Sequence, residues 1–475
     1  MGREGKMERG IRFGTDGWRS RMDTDFHGIN VARVAKAIAD HLTGSSSSGN
    51  GVFVGYDGRK NSKDFARICA EVLASNGIKS VVPTRPVPTP VSAFAAVKYS
   101  LNGAIMITAS HNPAIYNGIK FIPSYGGPAT TEITQSIERL IPPTPPYAED
   151  YGDGLRTGMI VERDPIGDYI SHLHSLLKIK ELDMKIAVDT MHGTTSGILD
   201  KMLQGMGAKV GILRGRIDPL FAGIIPDPVP SNLVELRESV TEGKYALGLA
   251  SDGDGDRIAA VTEKGVFLMA NQILPILYSY LLEGRGMSGD VARTVATSHM
   301  VDRVAESHGL KSLETPVGFK YLGQLLREKK IIIGGEESGG ISFATHIPEK
   351  DGTATALLLL EAMVQSGRTL QELQDAIIRK YGAIFSSRLD LKPFSVLDSV
   401  NAIERRITPK MLGNKIESVN KNDGLKLIFE DGSWLLFRIS GTENVVRVYA
   451  ESQSKEETAR LLEVGKVTVM GTTSF

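Results

Sequence analysis

The sequence predicts an α/β protein: three successive domains on mixed or parallel sheets, then a smaller C-terminal α+β domain. Three observations lead there. Short β-branched runs alternate with longer helical patterns as far as Ser386. The chain has 475 residues, room for three or four domains at about 150 residues each. From Ser386 the rhythm changes to strand-rich segments, SSRLDL, GLKLIFEDGSWLLFRIS and VVRVYAES, with two flanking helices.

The first cycle runs through helix INVARVAKAIADHL, strand GVFVGYD, helix KDFARICAEVLASNG and strands KSVVP and GAIMITAS. Its strands are nearly unbroken apolar runs, the mark of strands covered on both faces. The prolines of IPPTPPYAEDYGDG read as a linker, which puts a first domain at 1–150. A second cycle (DYISHLHSLL, MKIAVDT, GILDKMLQGMG, KVGIL, YALGLAS) fills 151–262. A third (GVFLMA, NQILPILYSYLLEG, RTVATS, MVDRVAESHG, KIIIGG, TATALLLLEAMVQSG) fills 263–383, leaving 384–475 for the α+β domain.

Lys and Arg number 55 against 55 Asp and Glu. Zero net charge argues against a nucleic-acid or acidic-membrane binder, whose affinity rests on excess cations. The single cysteine, Cys69, excludes a disulfide framework and a thiolate metal cluster, and a reducing cytoplasm is expected. The N-terminus has no apolar core like that of a signal peptide. The richest apolar run, TALLLLEAMV, is short and broken by Glu361, so no membrane span is expected. Glycine is in excess, 51 residues against a usual ~7%.

SDGDGDR is the strongest local signal. Asp252, Asp254 and Asp256 alternate after the apolar strand ALGLA, and the glycines between them let the loop curl so that three carboxylates converge. A divalent cation would relieve their repulsion, and all-oxygen ligands favour Mg²⁺, Mn²⁺ or Ca²⁺ over zinc; the alternative reading is a plain Asp/Gly turn between two strands. An EF-hand fails, because its sixth position would be Arg257 in place of glycine.

TASHNP ends another buried strand, where α/β sheets usually place ligands. Ser110 is a candidate nucleophile or phosphoryl carrier, His111 a candidate acid/base, and Lys120 in NGIKF a nearby cation. Taken alone, the segment also reads as an Asn-Pro turn with a capping serine. RISGTENVVR sets Ser440, Gly441 and Thr442 between Arg438 and Arg447, either an oxyanion cradle or a charged hairpin turn. GGEESGG offers Glu336, Glu337 and Ser338, suited to bonding the vicinal hydroxyls of a sugar or else solvated on a glycine turn, and Lys350 lies nearby in HIPEKDG. Neither a Walker A loop nor a strand-linked G-x-G-x-x-G is present.

FGTDGWR, TASHNP, NGIK, DGDGDR, GEESGG, EKDG and RISGTEN, in this order, resemble the signature segments of the α-D-phosphohexomutase family, the phosphoglucomutases and phosphomannomutases. The resemblance spans almost the whole chain. It implies a fourth domain that closes a central cleft. It implies that Ser110 carries a transferable phosphoryl group, and that Asp252, Asp254 and Asp256 bind Mg²⁺ with an oxygen of that phosphoserine. Thr15 and Arg19 would frame the phosphoserine, Lys120 would be the general acid/base, and His111 and Arg257 would line the same centre. Glu336 and Ser338 would read sugar hydroxyls, while Lys350, Arg438, Ser440, Gly441, Thr442 and Arg447 would grip the non-reacting phosphate.

The implied reaction interconverts hexose 1-phosphate and hexose 6-phosphate through a hexose 1,6-bisphosphate, with glucose 1,6-bisphosphate as primer and a small-molecule sugar phosphate as partner. GEES resembles the phosphoglucomutase form, which favours glucose phosphate, with mannose phosphate accepted too. A phosphoglucosamine mutase is the alternative within the class, and a non-catalytic phosphosugar-binding protein the alternative outside it. In ETPVGFKY, Val317 stands where the corresponding sugar-binding loop often has Thr.

Overall fold

A computed structural model of the chain describes residues 10–14, 16–44, 50–393, 400–408, 412–439 and 445–471. Four sheets organise them. The first has six strands, in the order Trp18–Arg21, Tyr116–Pro123, Gly103–Ile107, Val52–Tyr56, Ser80–Val82, Ile160–Glu162. The pairings of Tyr116–Pro123 are antiparallel and the others parallel. Val52, Val54, Ile105 and Ile107 pack with helices Gly28–Gly44 and Ser62–Ser75, whereas Phe53, Ala104 and Met106 turn to the side of helix Thr89–Lys98. Period-two alternation thus feeds two cores, which is why these strands read as unbroken apolar runs.

The second sheet has the order Phe267–Leu268, Ile258–Thr262, Leu247–Ser251, Lys185–Asp189, Lys209–Leu213, and the third Ser312–Thr315, Val291–Thr294, Ile333–Gly335, Ile341–Phe343. Two sheets reach past the boundaries read from the sequence. Ile160–Glu162 pairs with Ser80–Val82, so the first sheet takes a strand from beyond the proline-rich segment. Phe267–Leu268 pairs with Ile258–Thr262, so the second extends beyond residue 262. Both strands are edges of two or three residues, too short to show a period.

One apolar cluster joins these units, running from Phe94 and Val188 through Leu249 to Leu357–Leu360. Helix Gly352–Ser366 is buried on nearly every side, as its all-round apolar composition requires. Asp351 caps its start, accepting from the Ala354 N–H at 2.9 Å. The buried Glu361 within it accepts from Tyr280 Oη and Arg285 Nε, each at 2.7 Å, and from the Lys178 N–H at 2.6 Å. No helix among the described residues is long and apolar enough to cross a membrane.

The fourth sheet is antiparallel throughout, in the order Phe385–Leu391, Val446–Ser452, Trp434–Ile439, Leu425–Phe429, Ile416–Asn420. One face packs on helix Lys455–Met470 through Leu427, Leu435 and Val448. The other, with Trp434, Leu436 and Tyr449, meets Val295 and Ala296 of the third unit.

Candidate functional site

The loops that follow Gly103–Ile107, Leu247–Ser251 and Ile333–Gly335 converge at the ends of their strands, the usual ligand position of α/β sheets. Ser110 lies in the first, buried, with φ +51°. That left-handed conformation is strained for a non-glycine residue and persists where its surroundings impose it. Arg59 is the main constraint. Its Nη2 donates to the carbonyls of Ser110 at 2.6 Å and Asn112 at 2.7 Å, its Nη1 to those of Pro113 at 2.9 Å and Tyr116 at 3.2 Å, and its Nε to Asp57 at 3.1 Å. Thr108 Oγ1 adds a bond to the Ser110 N–H at 2.9 Å.

The Ser110 hydroxyl donates to Asp252 Oδ2 at 2.8 Å, and His111 Nδ1 lies 3.3 Å from the same Oγ. Gly253 makes this approach possible, because a Cβ there would come within 2.8 Å of the Ser110 carbonyl. Burial, with Arg257 and Arg19 nearby, holds the His111 imidazole well below its ordinary pKa and therefore neutral.

Asp252, Asp254 and Asp256 are fully buried, and one ligand oxygen from each lies within 4.8 Å of the others. Asp254 Oδ1 and Asp256 Oδ1 find no hydrogen-bond partner among the described residues. Burial, reinforced by Asp254 and Asp256, pushes the Asp252 carboxyl well above its ordinary range. Burial would also raise Asp254, but Lys120 and the hydrogen bond from Thr89 help to outweigh it and lower that carboxyl. Three carboxylates this close do not all ionise without a compensating charge. Orphaned oxygens in an all-oxygen set fit a hard divalent cation.

Beside the triad is a cluster that the sequence reading missed in part. Asp16 Oδ2 lies 2.8 Å from Lys120 Nζ, 3.2 Å from Lys350 Nζ and 3.6 Å from Arg19 Nη2. Burial would raise the Asp16 carboxyl, but these three cations hold it well below the usual range. Lys120 also reaches Asp254 at 3.2 Å and Asp256 at 3.3 Å. Burial opposes its charge, yet Asp16, Asp254 and Asp256 raise its pKa, so it is an ammonium here. Gly17, at φ +83°, permits the close packing, because a Cβ would lie 2.5 Å from the Ile119 carbonyl.

Arg19 also donates to Asn112 Oδ1 at 3.1 Å. Arg257 Nη1 is 3.4 Å from Asp227, and the Arg257 backbone N–H is donated to Asp252 Oδ1 at 3.1 Å. Lys350 Nζ has Asp256 at 3.1 Å, Asp16 at 3.2 Å and Glu349 at 3.4 Å around it, buried acids that its charge offsets.

In the third loop Glu336 is buried, accepts the Gly318 N–H at 3.0 Å, and is pushed up by burial to about 7. Ser338 is half-buried beside it. Arg438 and Arg447 face one another across adjacent strands of the fourth sheet. Arg438 is paired with Asp423 at 2.9 Å, and Arg447 Nε lies 3.8 Å from Asp390. Thr15, Ser440, Gly441 and Thr442 lie outside the described residues.

Comparison with known proteins identifies the family. Four phosphoglucomutase/phosphomannomutase family models match: α/β/α domain I over 10–145, domain II over 167–265, domain III over 269–381 and the C-terminal domain over 398–464. The chain is 29% identical to a phosphoglucomutase/phosphomannomutase of Thermococcus kodakarensis, over 96% of this chain and 98% of that one. It is 30% identical to a probable phosphoglucosamine mutase of Methanothermobacter thermautotrophicus, over 94% of each. A crystal structure of a candidate phosphomannomutase from Thermus thermophilus superposes with a TM-score of 0.85 at 32% identity, covering 97% of this chain and 99% of the other.

Proposed function

Since the chain belongs to the phosphoglucomutase/phosphomannomutase family and is by type an intramolecular phosphotransferase, we propose that it interconverts hexose 1-phosphates and 6-phosphates through a phosphoserine at Ser110. Glucose phosphate is the preferred substrate and mannose phosphate a second one. One observation carries the reading: the Ser110 hydroxyl is buried against the acidic triad at 2.8 Å from Asp252, beside the cations Lys120, Arg19 and Arg257. A structural serine needs no such convergence of charge.

Phosphoryl transfer is mostly positioning and neutralisation. Transfer breaks the bond from phosphorus to Ser110 Oγ and forms one from phosphorus to a sugar oxygen, and the sugar hydroxyl's proton ends on Oγ. Lys120, an ammonium in this structure, is the residue proposed to relay it. Arg19, Arg257 and Lys120 counter the charge on the transferring group. A Mg²⁺ held by Asp252, Asp254 and Asp256 would supply further neutralisation at the same place.

Glu336 and Ser338 are assigned to the sugar hydroxyls, and Arg438 and Arg447 to the phosphate that does not react. The hexose 1,6-bisphosphate formed by the first transfer reorients and returns its other phosphate to Ser110. The distal arginines therefore meet either end of the sugar.

A coupled assay tests the reading on the 1-phosphates of glucose, mannose and glucosamine, with Mg²⁺ and glucose 1,6-bisphosphate. Turnover is expected to be fastest on glucose 1-phosphate. Preference for glucosamine 1-phosphate would reassign the substrate, and no turnover on any of the three would leave a phosphosugar-binding protein.

A further inference from the structure

The turn between strands Ile416–Asn420 and Leu425–Phe429 carries a carboxylate that reaches into two domains. Asp423 Oδ2 accepts from Arg438 Nε at 3.0 Å and lies 2.9 Å from Arg438 Nη2. The same oxygen accepts the Val317 N–H at 2.7 Å. The next N–H along, that of Gly318, is donated to Glu336 Oε1 at 3.0 Å. Hydrogen bonds thus lead from the Arg438 guanidinium in the fourth domain, through Asp423 and the backbone at 317–318, to the Glu336 carboxylate in the third.

The turn itself is held firmly. Its Asn422 N–H is donated to Asn420 Oδ1 at 2.8 Å, a side-chain turn within the turn. Asn420 Nδ2 crosses to Glu314 Oε1 at 2.6 Å. The buried Lys426 donates to Glu314 Oε2 at 2.7 Å, to the Val295 carbonyl at 2.8 Å, and meets His299 Nε2 at 2.9 Å. Gly424, at φ +106°, presses so closely on the strand of Arg438 that a Cβ would lie 2.2 Å from the Phe437 carbonyl. Both contacts of the Arg438 pair fall on one oxygen of Asp423, so Nη1 is outside the pair. A guanidinium gripped along one edge presents its other edge to an anion.

We propose that Asp423 is a positioning residue that aims Arg438 at the phosphate of a sugar phosphate and couples that grip to the loop of Val317, Gly318 and Glu336. The identity of the ligand rests on the mutase reading given above. Fixing a long side chain before the ligand arrives removes an ordering cost from binding. Because the same carboxylate fixes the loop backbone, phosphate and hydroxyls are recognised by one connected unit. The grip acts on bound substrate and transition state alike, so its loss falls on KM more than on kcat.

The test is calorimetric titration of the full chain with glucose 1-phosphate, together with steady-state kinetics, for wild type, Asp423→Asn, Asp423→Glu, Glu336→Gln and the Asp423→Asn/Glu336→Gln double variant. Asn keeps an acceptor for the Val317 N–H and removes only the charge that orders Arg438. Asp423→Asn is expected to weaken binding and raise KM about tenfold, the loss of a charge-assisted pair, with kcat within about twofold. Asp423→Glu should recover part of the loss. The double variant should lose less than the product of the single losses, because both changes replace a charged acceptor by a neutral one and so weaken the same chain of bonds.

Unchanged binding in Asp423→Asn, single losses that multiply, or a fall in kcat at unchanged KM overturns the proposal. A lowered melting temperature with binding restored on cooling marks a merely structural role and also overturns it. A wild-type chain that binds glucose 1-phosphate but turns over no hexose phosphate refutes the mutase reading alone, and the binding measurements still decide on Asp423.

Discussion

Arg59 holds Ser110 through the backbone: its Nη2 donates to the Ser110 carbonyl at 2.6 Å while the serine side chain points the other way, to Asp252. The hydroxyl is thus aimed by a residue that never touches it.

Removing that clamp is expected to be costly twice over. In Arg59→Met four loop carbonyls lose their donor, and the buried Asp57 loses its cation. Breaking a buried ion pair on one side costs about 3–5 kcal/mol. Chemical denaturation should register a loss of that order, and activity should fall even where the variant remains folded. Wild-type stability and activity in Arg59→Met would contradict the clamp.

Asp254 bonds Thr89 Oγ1 at 2.6 Å and Lys120 at 3.2 Å, yet leaves Oδ1 unpartnered among the described residues. Asp254→Asn keeps the Thr89 contact and weakens the cation site. Mg²⁺ should raise the melting temperature of wild type, by mass action on the folded state. The variant should show little of that rise and need at least about tenfold more Mg²⁺ for half-maximal activity. Equal Mg²⁺ responses would show that the triad is not the metal site.

Glu336 gives a pH signature. Burial lifts its carboxyl from 4.5 to about 7. Between those values the folded chain binds more protons than the unfolded one, so this group costs stability as pH rises through the window, and the full cost remains above it. Glu336→Gln removes the titration and keeps an acceptor for the Gly318 N–H. The variant is expected to melt above wild type at pH 8 and close to it at pH 5. A difference that does not change with pH contradicts this account.

The local parts of the site were legible and its long-range parts were not. Asp252, Asp254 and Asp256 declare themselves because an alternation is read within five residues, and Ser110 because it follows a buried strand. Asp57 and Arg59 stand in a plain YDGRK segment, and their partners at Pro113 and Tyr116 are far along the chain. Asp16 lies inside FGTDGWR, but its place among Lys120, Lys350 and Arg19 depends on two domains meeting. The neighbours of Lys350 were illegible for the same reason: a lysine's partner is decided by which buried acids the fold brings to it. Asp423 sits in NKNDG, which reads as an ordinary hairpin turn until the third domain is docked against it.

The fold follows the same division. The long strands and helices were legible from their periods, and GLKLIFEDGSWLLFRIS resolves into Leu425–Phe429 and Trp434–Ile439 around its EDGS turn. The edge strand Ile160–Glu162 was not legible, because three residues have no period and its pairing with Ser80–Val82 is purely tertiary.

The proposed mechanism depends on Ser110 as the phosphoryl carrier. The direct measurement is peptide mass spectrometry of the folded chain after incubation with glucose 1,6-bisphosphate and Mg²⁺, then again after a chase with glucose 1-phosphate. One phosphoryl group is expected on Ser110 after priming, with that group recovered in hexose phosphate during the chase and none on the Ser110→Ala chain. Phosphate on another residue, or turnover by the Ser110→Ala chain, would contradict it.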